Sequence, residues 1–282
     1  MTTSTTVTAA AQNGHNPHAA ETLAPVPQHD EFDTADYEEG RESLPYLQML
    51  NYQDPNQAGF FITAENMEAS FFVPNEDWSL HTATFQRGET AEGYRSLLAR
   101  LLILGKSKLL MYNRESGEFI SDFQKSTYDR TIHLLKQRYL VYLITKDKQL
   151  MHDSPLMLTT KGSFCGSFGD TVRAFHSDMS KAYGAATGAK RPRGDRFMAL
   201  SVLAVRVEPA LKGKEKKSWV CSVAGYGQPT AENWKSYFVG YDEAIKERIL
   251  RDFESWADFG KGAMTTPAQS PSDEPAFGYD DF

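Results

Sequence analysis

Between Gly162 and Tyr183 the chain reads GSFCGSFGDTVRAFHSDMSKAY, and the fold class turns on whether this stretch is a strand or a helix. Phe164, Phe168, Val172, Phe175, Met179 and Tyr183 recur at spacings of 4, 4, 3, 4 and 4. At 3.6 residues per turn those positions share one face, so the spacing predicts a helix. Gly162, Gly166 and Gly169 raise the cost of ordering its opening turns, and the expected helix is firmest over residues 170–183.

Upstream of this helix the pattern is that of strands. SLHTATF (79–85), SLLARLLILG (96–105), KLLMYNR (108–114) and RYLVYLIT (138–145) are short and rich in β-branched, aromatic or aliphatic residues. RESGEFI (114–120) carries Ser-Gly punctuation suited to a hairpin, and LGKSK (104–108) reads as a second short reversal. Downstream, FMALSVLAVRVEP (197–209) and KSWVCSVAG (217–225) read as a strand pair joined by ALKGKEKK. A last helix is expected from about Thr230, with Trp234, Tyr237, Tyr241, Ile245, Ile249 and Phe253 on one face and a kink at Gly240. The order gives an α+β class: a curled antiparallel sheet or OB-like barrel with an inserted helix and a C-terminal helix. No internal repeat is visible.

With 282 residues, 40% of them hydrophobic, the chain can bury a sizeable core. That content is uneven. Residues 1–43 are rich in Thr, Ala, Asn, His and Pro and cannot offset the entropy of ordering, so they are expected to be a disordered acidic arm. Residues 44–259 form the expected single domain, and 260–282 a disordered linker with an acidic tail. No basic patch precedes an apolar run at the N-terminus, and no stretch approaches the roughly 18 apolar residues of a membrane span. Cys165 and Cys221 are too few for a disulfide scaffold, which suits buried thiols in a reducing cytoplasm.

Enzyme signatures are absent: no Gly-rich loop ending in Gly-Lys-Ser/Thr, no Gly-x-Ser-x-Gly, no His-Glu-x-x-His. Cys165 near a helix start invites a nucleophile reading. However, its nearest helical histidine, His176, is eleven residues on, about 16 Å along the axis. His81, His133, His152 and His176 lack metal-ligand spacing, and His152 beside Asp153 reads as a polar loop pair. Neither a catalytic set nor a cofactor or metal is expected.

Charge is patterned. The whole chain is −7, and residues 1–43 alone, with eight acids against Arg41, also reach −7. Residues 156–220 hold twelve Lys and Arg against five Asp and Glu. Lys190, Arg191, Arg193 and Arg196 cluster in one loop; Lys212, Lys214, Lys216 and Lys217 cluster in another. The expected strand between them would hold the clusters roughly 35 to 40 Å apart. Either they line a groove for several nucleotides, with Trp219 or Phe197 stacking on bases, or they are two solvated loop tips that block edge pairing.

The chain closes with DEPAFGYDDF (273–282) after GAMTTPAQSPS. Through Asp273, Glu274, Asp280, Asp281 and Phe282 this end resembles the acidic, Phe-ending tip of bacterial and phage single-stranded DNA-binding proteins. It departs from that pattern in its short acidic run and in having Asp281, not proline, before Phe282. The resemblance covers about ten residues and implies a docking peptide, with Asp280, Asp281 and Phe282 meeting a basic, ring-accepting pocket on a partner. LPYLQMLN (44–51) and KRPRGDRF (190–197) are similar to an uncharacterised domain family of cyanobacteria and their mobile elements, which implies a bacterial cytoplasmic protein and supplies no activity.

The expectation is therefore a non-enzymatic, cytoplasmic single-stranded nucleic-acid-binding protein. DNA is favoured over RNA, and replication or recombination proteins dock on the tail. Two alternatives stand beside it: a protein-interaction or assembly module, and a metal-dependent nucleic-acid enzyme whose carboxylates converge only in the fold. The aromatic last helix is a candidate oligomer interface.

Overall fold

The computed structural model describes residues 44–85, 88–213 and 217–261. The expected disorder of both ends, and the docking residues Asp280, Asp281 and Phe282, lie outside the described residues. In chain order the strands are β1 (Tyr46–Leu50), β2 (Gly59–Thr63), β3 (Ser79–Thr84), β4 (Thr90–Ser96), β5 (Leu98–Lys106), β6 (Leu110–Asn113), β7 (Phe119–Asp122), β8 (His133–Leu143), β9 (Leu156–Lys161), β10 (Val202–Lys212) and β11 (Ser218–Tyr226). Four α-helices accompany them: α1 (Ala64–Ser70), α2 (Gly162–Thr187), α3 (Asp195–Ala199) and α4 (Glu243–Ser255). The α+β class holds.

All strands belong to one sheet with the order β11-β10-β5-β8-β9-β1-β2-β4-β3, and the β6–β7 hairpin branches from β8. The path has two ends, β11 and β3, so its ladders do not close into a barrel. Nor is the sheet purely antiparallel, because β1 runs parallel to β9. β11 nonetheless meets the end of β1, where the Cys221 N–H donates to Asn51 Oδ1 at 2.8 Å and its thiol to the Leu50 carbonyl at 3.0 Å. A side chain and a thiol bridge that approach where a closed barrel would carry a ladder.

β8 is the central strand, and every residue from Arg138 to Leu143 is buried. Alternate residues of a strand face opposite sides, so continuous burial requires cover on both faces. On one face Tyr139, Val141 and Leu143 pack with Leu101, Leu203, Val205 and the α2 residues Phe164, Phe168, Val172, Phe175 and Met179. On the other, Leu140 and Tyr142 pack with Leu102, Val202, Ala199, Ile245, Ile249 and Phe259. Each fully buried Phe or Ile contributes about 1.5–3 kcal/mol relative to exposure. That gain explains why α2 begins at Gly162 despite its glycines: burying Phe164, Cys165 and Phe168 outweighs their unfavourable propensity.

Three local expectations are corrected. LGKSK does not reverse the chain: β5 and β6 both run antiparallel to β8, from Leu101↔Leu143 to Asn113↔His133, as one interrupted strand. Phe197, Met198 and Ala199 are not strand residues but form α3. The last helix is split. Trp234–Tyr237 make a 3₁₀ turn, Phe238 then bridges Ser201, and the Val239 N–H donates to the Leu200 carbonyl at 3.0 Å, which pulls the chain out of helix. The chain re-enters helix at α4, where the Asp242 carboxylate caps the Ile245 N–H at 3.1 Å. The RESGEFI turn does join a hairpin, β6–β7, with Gly117 in the left-handed region.

β2, β4, β9 and α1 had no clear sequence signal. β4 (TAEGYRS) is polar, and its Gly93 shows why it is a strand: a Cβ there would stand 2.0 Å from the Ile62 carbonyl oxygen, so only glycine permits the close β2–β4 approach.

Candidate nucleic-acid interface

The lysine loop caps the β10–β11 hairpin. Leu211 pairs with Trp219 and Lys212 with Ser218. Beyond Glu208 neither strand holds a fully buried residue until Cys221, so the hairpin projects beyond its support. Lys212 and Lys217 are exposed, Leu211 is 47% exposed, and Trp219 is half-buried. Lys214 and Lys216 lie outside the described residues. Apolar surface flanked by cations at a projecting tip suits a polyanion that carries flat rings.

The arginine loop is a different environment. Lys190 and Arg191 are exposed and form no ion pair with a described residue. Arg193 is built into the fold: its guanidinium lies over the Tyr183 ring at 4.8 Å, and its backbone N–H donates to Ser180 Oγ at 3.2 Å. Arg196 pairs with Glu254 of α4. Phe197 stacks on Phe238, ring centres 4.8 Å apart, and meets Tyr183 edge-on, so its ring is committed to an internal aromatic cluster rather than to bases.

The two basic clusters are not brought together. β10 separates them, and its ten intervals span about 33 Å. The arginine loop instead joins a helical stripe that includes Arg173 and Ser180, which the sequence did not single out. On α2, Gly169, Arg173, His176 and Ser180 follow at intervals of 4, 3 and 4 and form one stripe. The end of that stripe, Ser180, holds Arg193. Its start lies over Tyr139 of β8, which pairs with Lys106 of β5. A Cβ on Gly169 would lie 3.6 Å from the Tyr139 hydroxyl and 3.9 Å from an Arg173 nitrogen. His176 is held below the usual histidine range, first by burial and then by the Lys106 charge, with Asp195 opposing. The stripe was legible as a helical period.

Among the described residues the two thiols and His152 are committed to the interior. Cys165 and Cys221 are both buried, and burial raises both thiols, Cys221 to about 12. His152 cannot take a metal as placed. Its Nε2 accepts from the Leu143 N–H at 2.8 Å, which leaves Nδ1–H to donate to the Ser154 carbonyl at 2.7 Å. Burial lowers its pKa to about 4. Among the described residues no group of three or more His, Cys, Asp or Glu is arranged to hold a metal. A depression between β1, α1 and β4 is lined by Tyr46, Gln48, Glu65 and Glu92, and its carboxylates repel phosphate. Among the described residues no helix is long and apolar enough to cross a membrane.

The family described as a domain of unknown function, DUF5895, matches residues 41–272. A curated relative, "Uncharacterized protein 254L" of Invertebrate iridescent virus 6, is 26% identical over 163 residues, covering 54% of this chain and 48% of that protein. The chain thus spans about half the length of the curated relative it matches. No solved structure matches it.

Proposed function

The chain belongs to the DUF5895 family, and from that premise we propose that it is a non-enzymatic single-stranded nucleic-acid-binding protein, DNA favoured over RNA. The observation that carries this reading is the β10–β11 tip, where Leu211 and Trp219 stand half-exposed beside Lys212 and Lys217. The charge balance supports it. Residues 44–261 hold 29 Lys and Arg against 25 Asp and Glu, a net of +4, so the −7 of the whole chain comes from its ends. A basic fold between acidic ends attracts a polyanion locally while the chain stays acidic overall.

In this reading Lys190 and Arg191 meet phosphates at one end of β10, and Lys212, Lys217 and Trp219 hold the strand at the other. The acidic tail ending in Asp280, Asp281 and Phe282 docks replication or recombination proteins, and the setting is cytoplasmic. A protein-assembly module is the second reading; it is favoured by the open edge at β3, where Leu80 is 71% exposed. Fluorescence anisotropy with single- and double-stranded oligonucleotides across a salt series separates them. Preference for single strands, with a log-log salt slope of about −0.7 per contact, supports the first. No binding at low salt discards it.

A further inference from the structure

Phe197 is one of the two rings expected to stack on bases, and its packing on Phe238 commits it to the interior. The same aromatic cluster carries another ring at its rim. Tyr241 meets Phe238 edge-on at 5.6 Å and Trp234 at 6.2 Å, yet it is 65% exposed. Its position is fixed by the start of β10: Phe238 bridges Ser201, and the Val239 N–H donates to the Leu200 carbonyl. Cations flank this rim. Lys148 Nζ donates to the Lys235 carbonyl at 2.9 Å and to the Phe238 carbonyl at 3.1 Å, and no described carboxylate pairs with it. Two of its three N–H groups are thus used, leaving one donor for a phosphate oxygen. The Lys235 side chain is exposed. On the other side, contacts of 4.8, 4.9 and 6.2 Å run from the Arg193 guanidinium to Tyr183, from Tyr183 to Trp234 and from Trp234 to Tyr241. The acids that follow Tyr241 are committed, Asp242 to capping α4 and Glu243 to Lys246. Asp147 and Glu232, exposed in the flanking turns, are the opposing charges.

We propose that Tyr241 stacks on one base of the bound strand while Lys148 and Lys235 meet an adjacent phosphate, forming a second aromatic subsite at the opposite end of β10 from Trp219. The proposal rests on the nucleic-acid reading and gives the arginine-loop end of β10 the stacking ring that Phe197 does not supply. A base laid on Tyr241 covers apolar surface that the fold leaves in water, and every base has a face to offer, so the subsite takes unpaired strands of any sequence. A duplex, whose bases are stacked on each other, gains only the phosphate contacts.

The test measures anisotropy of labelled oligo(dT), and of an abasic oligomer of the same length, with the full chain. Wild type, Tyr241→Phe, Tyr241→Ala and Lys235→Gln are compared, with thermal unfolding to check that each folds; if Tyr241→Ala does not, Tyr241→Leu, apolar but without a ring, replaces it. Tyr241→Ala is expected to weaken oligo(dT) binding about tenfold and to leave the abasic oligomer unaffected, while Tyr241→Phe, which keeps the ring, binds as wild type does. Lys235→Gln reduces the salt slope by about 0.7 for both ligands. If Tyr241→Ala binds oligo(dT) as tightly as wild type, the subsite is wrong while nucleic-acid binding stands. Equal losses for oligo(dT) and the abasic oligomer mean that the ring only supports the basic surface, which also overturns the subsite. If wild type binds neither ligand at low salt, the nucleic-acid reading fails and the subsite falls with it.

Discussion

Leu211 and Trp219 face each other across the β10–β11 ladder, and neither is buried. A cross-strand apolar pair left open to water at a lysine-flanked tip contributes little to the core and is available to a ligand. Trp219→Ala is therefore expected to weaken single-strand binding by about 1–3 kcal/mol, the worth of one stacked base. Stability should change by less than about 0.5 kcal/mol. Anisotropy and urea unfolding of the same variant check both; unchanged affinity removes the tip from the interface.

The arginine loop holds two cations with partners in the fold, Arg193 and Arg196, and two exposed ones, Lys190 and Arg191. Lys190→Ala and Arg191→Ala should each reduce the salt slope by about 0.7 at unchanged stability. Arg196→Ala breaks a pair whose side chains are both 59% exposed, so it should cost about 0–1 kcal/mol of stability. A double-mutant cycle with Glu254→Ala measures that coupling, and a value well above this range would make Arg196 a structural anchor.

Both faces of β8 carry the fold. Phe168→Ala beneath α2 should destabilise by about 3–5 kcal/mol, and Ile249→Ala beneath α4 by about 2–5 kcal/mol, since both side chains are fully buried. Denaturant midpoints decide this. A loss below 1 kcal/mol for Ile249→Ala would mean that α4 is dispensable as a cover.

His152 makes stability depend on pH. Its folded pKa is about 4, below the ordinary histidine value of about 6.5, so the unfolded chain takes up a proton first as pH falls. The contribution is whole above about pH 6.5, declines down to about pH 4 and is flat below, amounting to about 3 kcal/mol. The neutral ring also stacks on Tyr142 at 4.9 Å. His152→Gln should lower stability at neutral pH and flatten this acid limb, as read from urea midpoints across the range.

The chain leaves the described fold at Lys261, next to Gly260, where a Cβ would stand 2.3 Å from the Ser107 Cα. Ser107 adjoins Lys106, so the described fold ends close to a lysine. Removing the residues after Gly262 should therefore tighten oligonucleotide binding at low salt, with the difference vanishing at high salt. Equal affinities would leave the tail only its role as a docking peptide.

The sequence alone determined what depends on near neighbours. The period of Phe164 through Tyr183 produced α2, apolar runs marked β3, β5, β6, β8, β10 and β11, and the charge counts separated a basic fold from acidic ends. Each is a property of residues a few positions apart, where propensity and face periodicity act directly. The α+β class followed from their order.

Tertiary structure decided the rest, because backbone pairing and burial are settled among segments far apart in the chain. The parallel β1–β9 pair joins residues more than a hundred positions apart. The Val239–Leu200 hydrogen bond overrides the helical period across Gly240, and Phe197 leaves its expected strand to stack on Phe238. The two lysine- and arginine-rich loops and the strand between them were visible, but the anchoring of one loop on α2 through Arg193, Ser180 and Tyr183 was not. No local pattern encodes the register between β5 and β8, because that pairing is settled between segments distant in the chain.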